Sequence, residues 1–217
     1  MLALLPAFQT QTGLKVDLAS DSVGGLVRRI GDGQPFDVVF ASQDGLKRLA
    51  AAGQVRPESM TDLASVGIGI GMRAGTAPPP LSTTAEFIDA LLAARAIAYI
   101  DPTSGGYSGI YLNGLFQRLQ IADRVQAKAV LVPGGLTAER VARGEADIVL
   151  QQASEILPVR GVVLVSELPA PIQSRTTHGG AVSAARALPQ QAQALLPAFT
   201  AASAAPVIRG KGMEPAR

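Results

Sequence analysis

Short apolar, β-branched runs alternate with helical patterns along the whole of this 217-residue chain, and no other feature narrows its fold as much. A strand, a helix and a second strand close most readily into a parallel sheet covered by helices, because each element must bury its apolar face against another. Leu2 to Gln11 reads as a helix closed by Gly13, Lys15 to Ala19 as an alternating strand, and Val23 to Ile30 as a helix. Asp37 to Ala41 then reads as an apolar strand and Asp44 to Ala52 as a helix ended by Gly53. A second series follows: helix Thr84 to Ala94, strand Ala96 to Ile100, helix Gly109 to Leu119, strand Ala129 to Val132, helix Leu136 to Arg143, and strands Asp147 to Leu150 and Val162 to Val165. Ile172 to Ala184 reads as a long returning strand and Pro189 to Ala202 as a last helix.

Two interruptions divide the series. Val66 to Met72, rich in glycine and β-branched residues, leads into Arg73-Ala74-Gly75 and the triple proline Pro78-Pro79-Pro80, and Pro169-Ala170-Pro171 comes later. Proline runs continue neither a helix nor a central strand, so both places read as crossings between lobes. The expected organisation is residues 1–75 with 176–217 as lobe I and 76–175 as lobe II, a hinge architecture with its ligand site in the cleft.

Composition removes several functions. At 47% hydrophobic residues the chain has material for a real core, and its formal charge of +2 is scattered, with no basic run to hold a nucleic acid. There is no Trp, and aromatic residues make up only 4%, so platforms for stacking bases are scarce. Without cysteine, and with His178 as the single histidine, thiolate and multi-histidine metal sites are excluded; neither a metal nor a cofactor is expected. No apolar run reaches the roughly 18 residues of a membrane span, and the opening Met-Leu-Ala-Leu-Leu-Pro lacks the basic segment and long apolar stretch of a signal peptide.

Several loops carry groups suited to an anion. Ser20-Asp21-Ser22 stands between a strand and a helix, where hydroxyls and free N–H groups meet the positive end of the helix dipole; an N-cap would account for one of the three. Ser42, at the carboxyl end of the strand Asp37 to Ala41, has the position in which open α/β sheets place ligands and equally that of a cap. The densest cluster is Asp101-Pro102-Thr103-Ser104-Gly105-Gly106-Tyr107-Ser108-Gly109, between a strand and a helix. Its glycines let backbone N–H groups wrap an oxyanion, and no Lys-Ser or Lys-Thr follows to make it a P-loop. Gly67-Ile68-Gly69-Ile70-Gly71 imitates part of a dinucleotide fingerprint without the helix that must follow, so its glycines serve bending or close packing. Gln151 and Gln152 offer amides at a strand end, with Glu155 just beyond, and the ordinary alternative there is a surface turn.

The segments "TGLKV", "GDGQPFDVVFAS", "DPTSGGYSGIYLNGLFQRLQIAD", "GEADIVLQQASEILP" and "KGMEP" together resemble the molybdate-binding-protein-like branch of type II periplasmic binding proteins, over nearly the whole chain. The resemblance implies an α/β, two-lobed fold, each lobe a mixed or parallel sheet flanked by helices, with two hinge crossings. It implies a small anion, a molybdate-like oxyanion or an organic carboxylate, held in the cleft between the lobes, and the role of solute-binding component of an ABC importer in the periplasm. By position it implies Ser20 and Ser22 from the first lobe and Ser104 to Ser108 from the second as ligand groups; Ser42, Thr103 and Gln151 join them from the reading of the residues. The branch also resembles aconitate-isomerase-like enzymes. The alternative expectation is therefore an isomerase of unsaturated polycarboxylates, in which Arg73 or Arg175 neutralises carboxylate and His178 or Glu155 moves the proton.

Overall fold

The structure, a computed structural model, describes residues 3–21, 23–185 and 194–216. Its helices are α1 (Leu5–Thr12), α2 (Val23–Gly31), α3 (Gln43–Ala51), α4 (Thr84–Ala93), α5 (Tyr107–Arg118), α6 (Ala122–Gln126), α7 (Glu139–Ala142), α8 (Ala153–Ile156), α9 (Leu195–Thr200) and α10 (Ala205–Arg209). Its strands are β1 (Val38–Ser42), β2 (Thr61–Arg73), β3 (Ile97–Ile100), β4 (Ala129–Val132), β5 (Ile148–Gln152), β6 (Val162–Glu167), β7 (Arg175–Val182) and β8 (Glu214–Pro215). The chain forms two compact units, Met1–Ser65 with Thr176–Arg217, and Val66–Arg175. The chain passes from the first unit to the second within β2 and returns at the start of β7.

In the first unit β1 pairs antiparallel with β7, from Val38 opposite Val182 to Ser42 opposite His178, and β8 pairs with the first part of β2. Side chains alternate across β1 as a pleated strand requires. Val39 and Ala41 join Ile30, Leu46, Leu49 and Ala181 in a core beneath α2 and α3. Val38 and Phe40 turn the other way, toward Phe8 of α1 and Leu195 and Phe199 of α9, with the rings of Phe40 and Phe199 5.1 Å apart.

The second unit is a five-stranded sheet in the order β6, β2, β5, β3, β4, in which β5, β3 and β4 are parallel and β2 runs against both its neighbours. One face carries Ile68, Ile70, Ile97, Tyr99 and Leu150 under Phe87 and Leu91 of α4 and Leu112, Leu115 and Phe116 of α5. The opposite face carries Ala98 and Val149 against Val141 of α7 and Ile156 of α8. Gly69 and Gly71 look toward this second face: a Cβ on Gly69 would stand 2.4 Å from a Leu164 methyl carbon, and one on Gly71 2.7 Å from Val149. The alternate glycines therefore let side chains from both neighbouring strands and α8 settle on the β2 backbone.

The second unit's sheet is mixed, as expected of a lobe, with β2 running antiparallel to β5 and β6. The differences from the sequence reading have local causes. Lys15 to Ala19 is not a strand; no strand pairs with it among the described residues, and the Val16 N–H is taken by Gln9 Oε1 at 2.7 Å. Alternation alone makes a strand only where another edge meets it. The helix expected over Leu136 to Arg143 begins only at Glu139, after Gly135 at φ 81°. Of the helix expected over Pro189 to Ala202, residues 189–193 lie outside the described residues and Leu195–Thr200 is helical.

Candidate functional site

In the second unit β4, β3 and β5 run parallel and end at the same edge of the sheet. Beyond Ile100 of β3 the chain turns through Asp101–Gly106 into α5, which covers one face; beyond Gln152 of β5 it enters α8, which covers the other. Neighbouring parallel strands whose helices leave toward opposite faces open a crevice at their carboxyl ends, where α/β sheets place ligands. The loop Pro133–Ala138, after β4, completes this edge.

The Asp101–Gly106 turn is ordered from within. Asp101 Oδ1 accepts the Thr103 N–H at 2.8 Å and the Thr103 hydroxyl at 2.7 Å, and the Ser104 hydroxyl donates to the Asp101 carbonyl at 2.7 Å. The two bonds from Thr103 hold the Asp101 carboxyl below the usual carboxylate range. Thr103 and Ser104 thus shape the loop with their hydroxyl protons already committed. Gly105 takes a left-handed φ of 81°, and the N-cap of α5 is Gly106, which has no side chain to cap the first turn. The first-turn N–H groups and the helix dipole are thereby left for an acceptor from outside the helix. A Cβ on Gly109 would lie 2.3 Å from the Ile100 carbonyl oxygen, so glycine seats α5 directly on the end of β3. Ser108 is buried in the first turn, whereas exposed Tyr107 pairs its hydroxyl with Ser174 Oγ at 2.7 Å.

Gln151, wholly buried at the end of β5, donates from Nε2 to the Gly135 carbonyl at 2.8 Å and ties the loop after β4 to this edge. Its Oε1 and the hydroxyl of Thr137, also wholly buried, have no protein partner among the described residues. Buried polar atoms of this kind carry a desolvation cost until something meets them. Thr137 did not figure among the sequence candidates, although Pro133-Gly134-Gly135 after a strand repeats the glycine pattern of the loop after β3. Burial raises the Glu155 carboxyl above its usual range, opposed by its hydrogen bond with Gln151. At the same edge Arg175 is compensated by Glu167 Oε2 at 2.7 Å, which also accepts from Gln173 Nε2 at 3.2 Å.

The remaining candidates stand elsewhere. Arg73, at the far end of β2, pairs with Val162 in register and donates to the Val141 carbonyl at 3.4 Å; it lies at the opposite edge of the sheet from Gln151. Ser20, Ser42 and His178 belong to the first unit. Ser20 is exposed ahead of α2, and Ser42 caps α3, its Oγ accepting the Gly45 N–H at 3.4 Å. Burial lowers the affinity of His178 for a proton. Ser22 lies outside the described residues. Among the described residues, no group of acidic or histidine side chains is arranged to hold a metal ion, and no helix is long and apolar enough to cross a membrane.

Comparison with known proteins extends this geometry. Residues 1–214 match the model of a family described as bacterial extracellular solute-binding protein. The chain is 34% identical over 216 residues to an aconitate isomerase of a Pseudomonas species, covering 97% of this chain and 81% of that protein. Its fold is similar to the substrate-binding domain of a molybdenum ABC transporter from Clostridium difficile, with a TM-score of 0.81 and 16% identity over 100% of this chain and 93% of the other. It is also similar to the periplasmic molybdate-binding protein of Azotobacter vinelandii, with a TM-score of 0.75 and 21% identity over 100% and 96%.

Proposed function

This chain belongs to the bacterial extracellular solute-binding protein family, and we propose that it binds a small anion, an oxyanion or an organic carboxylate, as the solute-binding component of an ABC importer. The membrane complex of the importer is then its partner and the periplasm its place of work. The observation that carries the proposal is the edge of the second unit at which β4, β3 and β5 end together. The uncapped first turn of α5 supplies N–H donors, Ser108 and Thr137 supply hydroxyls, and Gln151 anchors the loop between them. Neutral donors at a helix N-terminus suffice for an anion, because the dipole and the low local dielectric strengthen each hydrogen bond. Ser20, Ser22 and Ser42 of the first unit stay proposed anion-binding residues on the strength of the sequence pattern.

The test is calorimetric titration with molybdate, sulfate, citrate and the aconitates. One of them is expected to bind, and Ser108→Ala and Thr137→Ala to weaken that binding about tenfold each, the loss of one hydrogen bond to a charged group. Failure of every anion to bind would overturn the proposal.

A second reading is an isomerase acting on an unsaturated tricarboxylate, favoured by the 34% identity to the aconitate isomerase. Here Glu155 is the proton carrier at the crevice, since burial raises its carboxyl above the usual carboxylate range and so favours its holding a proton. Incubation with trans-aconitate would then yield the cis isomer. Glu155→Gln would stop turnover while leaving the substrate bound, and an unchanged substrate after incubation removes this reading.

A further inference from the structure

The side-chain amide of Gln151, at the end of β5, has two hydrogens to give and one carbonyl oxygen to satisfy. One hydrogen goes to the Gly135 carbonyl at 2.8 Å. The bond between Gln151 and Glu155 draws the Glu155 carboxyl down against the effect of burial, the direction in which a donor to the carboxylate acts, so the amide donates there as well. Both hydrogens are thus spent inside the protein. Turning the amide over would set Oε1 against the Gly135 oxygen, acceptor facing acceptor, so its orientation is fixed. What the side chain has left is Oε1, wholly buried and without a partner among the described residues. Thr137, the other buried group in that state, still has a hydroxyl hydrogen to donate. It follows directly on the exposed stretch 133–136, to the middle of which Gln151 is tied, so a ligand reaches both atoms by displacing that short stretch. Gly134 and Gly135, each with open space around it, leave the stretch free to give way.

We propose that this edge selects an anion bearing its own O–H group, a selectivity that presupposes the anion binding proposed above. The negative oxygens go to the first turn of α5 and to Thr137, and Gln151 Oε1 accepts the hydrogen of the ligand's O–H. An oxyanion oxygen without a hydrogen is an acceptor only, as Oε1 is, and two acceptors brought together away from water repel and leave both unmet. An anion with a hydroxyl removes that conflict and satisfies the buried oxygen at the same time. A hydroxycarboxylate has this pair of groups, and so has an inorganic oxyanion that keeps a proton, such as hydrogenphosphate. Molybdate and sulfate keep none near neutrality. A site built to bond a ligand's O–H rejects the analogue lacking it more strongly than an apolar pocket rejects a lost methylene, because the protein's own polar group is then stranded.

The test is calorimetric titration of the 217-residue chain with two matched pairs. Citrate and tricarballylate differ by the hydroxyl alone; phosphate and sulfate, at mildly alkaline pH, are both dianions and differ by one proton. In at least one pair the O–H bearer is expected to bind at least about tenfold more tightly, and the pair that shows it separates an organic from an inorganic ligand. Gln151→Leu, close in volume but without the acceptor, is expected to bring that ratio near one, whereas Thr137→Val weakens both members and keeps the ratio. Thermal unfolding checks that each variant folds, and Gln151→Met replaces Gln151→Leu where it does not. Equal binding within both pairs, or binding confined to anions without an O–H such as molybdate and sulfate, overturns the selectivity and leaves anion binding standing. A ratio that survives the loss of the Gln151 acceptor overturns it as well. Binding of no anion at all by the parent chain removes the anion reading and the selectivity with it.

Discussion

Gly109 and Gly114 lie five residues apart on α5 and should respond oppositely to alanine. At Gly109 the new methyl would stand 2.3 Å from the Ile100 carbonyl oxygen, and backbone cannot step aside; Gly109→Ala is expected to cost about 1–3 kcal/mol in urea unfolding. At Gly114 the nearest atom is the tip of the Arg118 side chain at 3.6 Å, so Gly114→Ala should stabilise by about 0.5–1 kcal/mol through helix propensity alone. Two titrating residues are equally opposed. Burial raises Glu155, so its contribution to stability is complete below the unfolded value of 4.5 and is lost as pH rises through the folded value. Burial lowers His178, so its contribution is complete above 6.5 and is lost as pH falls through the folded value. Thermal unfolding of Glu155→Gln should accordingly lose less stability than the parent between acid and neutral pH, and His178→Gln should lose less on acidification from neutrality.

At the scale of elements, α4 is held at its start by a reciprocal pair. Thr83 accepts the Glu86 N–H at 3.2 Å while Glu86 Oε2 accepts the Thr83 N–H at 3.0 Å. Thr83→Ala should cost about 1 kcal/mol, measurable as a lower midpoint with an unchanged denaturant slope. The strands that formed from the sequence pattern alone were those with strong apolar runs and an available neighbour: Asp37 to Ala41, Ala96 to Ile100 and Ala129 to Val132 each became a strand within a residue of its expected bounds. The short helices α6 and α8 escaped notice because four or five residues are too few to show a helical period. The turn from β3 into α5, Asp101 to Gly106, was legible as a break because proline, glycine and hydroxyl residues crowd it. Thr137 was not, since nothing in a sequence distinguishes a threonine whose hydroxyl is buried without a partner from one in water. Nor could spacing reveal that Thr103 and Ser104 spend their hydroxyl protons on Asp101.

Taken as a whole, the molecule should report its ligand through stability. An anion that binds only the folded chain, present at a hundred times its dissociation constant, adds about 2.7 kcal/mol; molybdate, citrate and trans-aconitate scanned in parallel therefore rank the proposed ligand classes by the rise in unfolding temperature.

The division of the chain also sets an order of assembly. The second unit is continuous, Val66–Arg175, whereas the first is split around it and closes only when β7 reaches β1, with His178 opposite Ser42. During synthesis at roughly 5–20 residues per second, β1 waits for its partner through the translation of the entire intervening unit. Pairing so distant in sequence is slow to find even when the chain is complete. The early helices and β1 are thus the part of the nascent protein longest without a finished sheet, and the part on which a holding chaperone would act. A nascent chain arrested once Arg175 has cleared the ribosome should display a protease-resistant second unit, preceded by first-unit residues that are still cleavable.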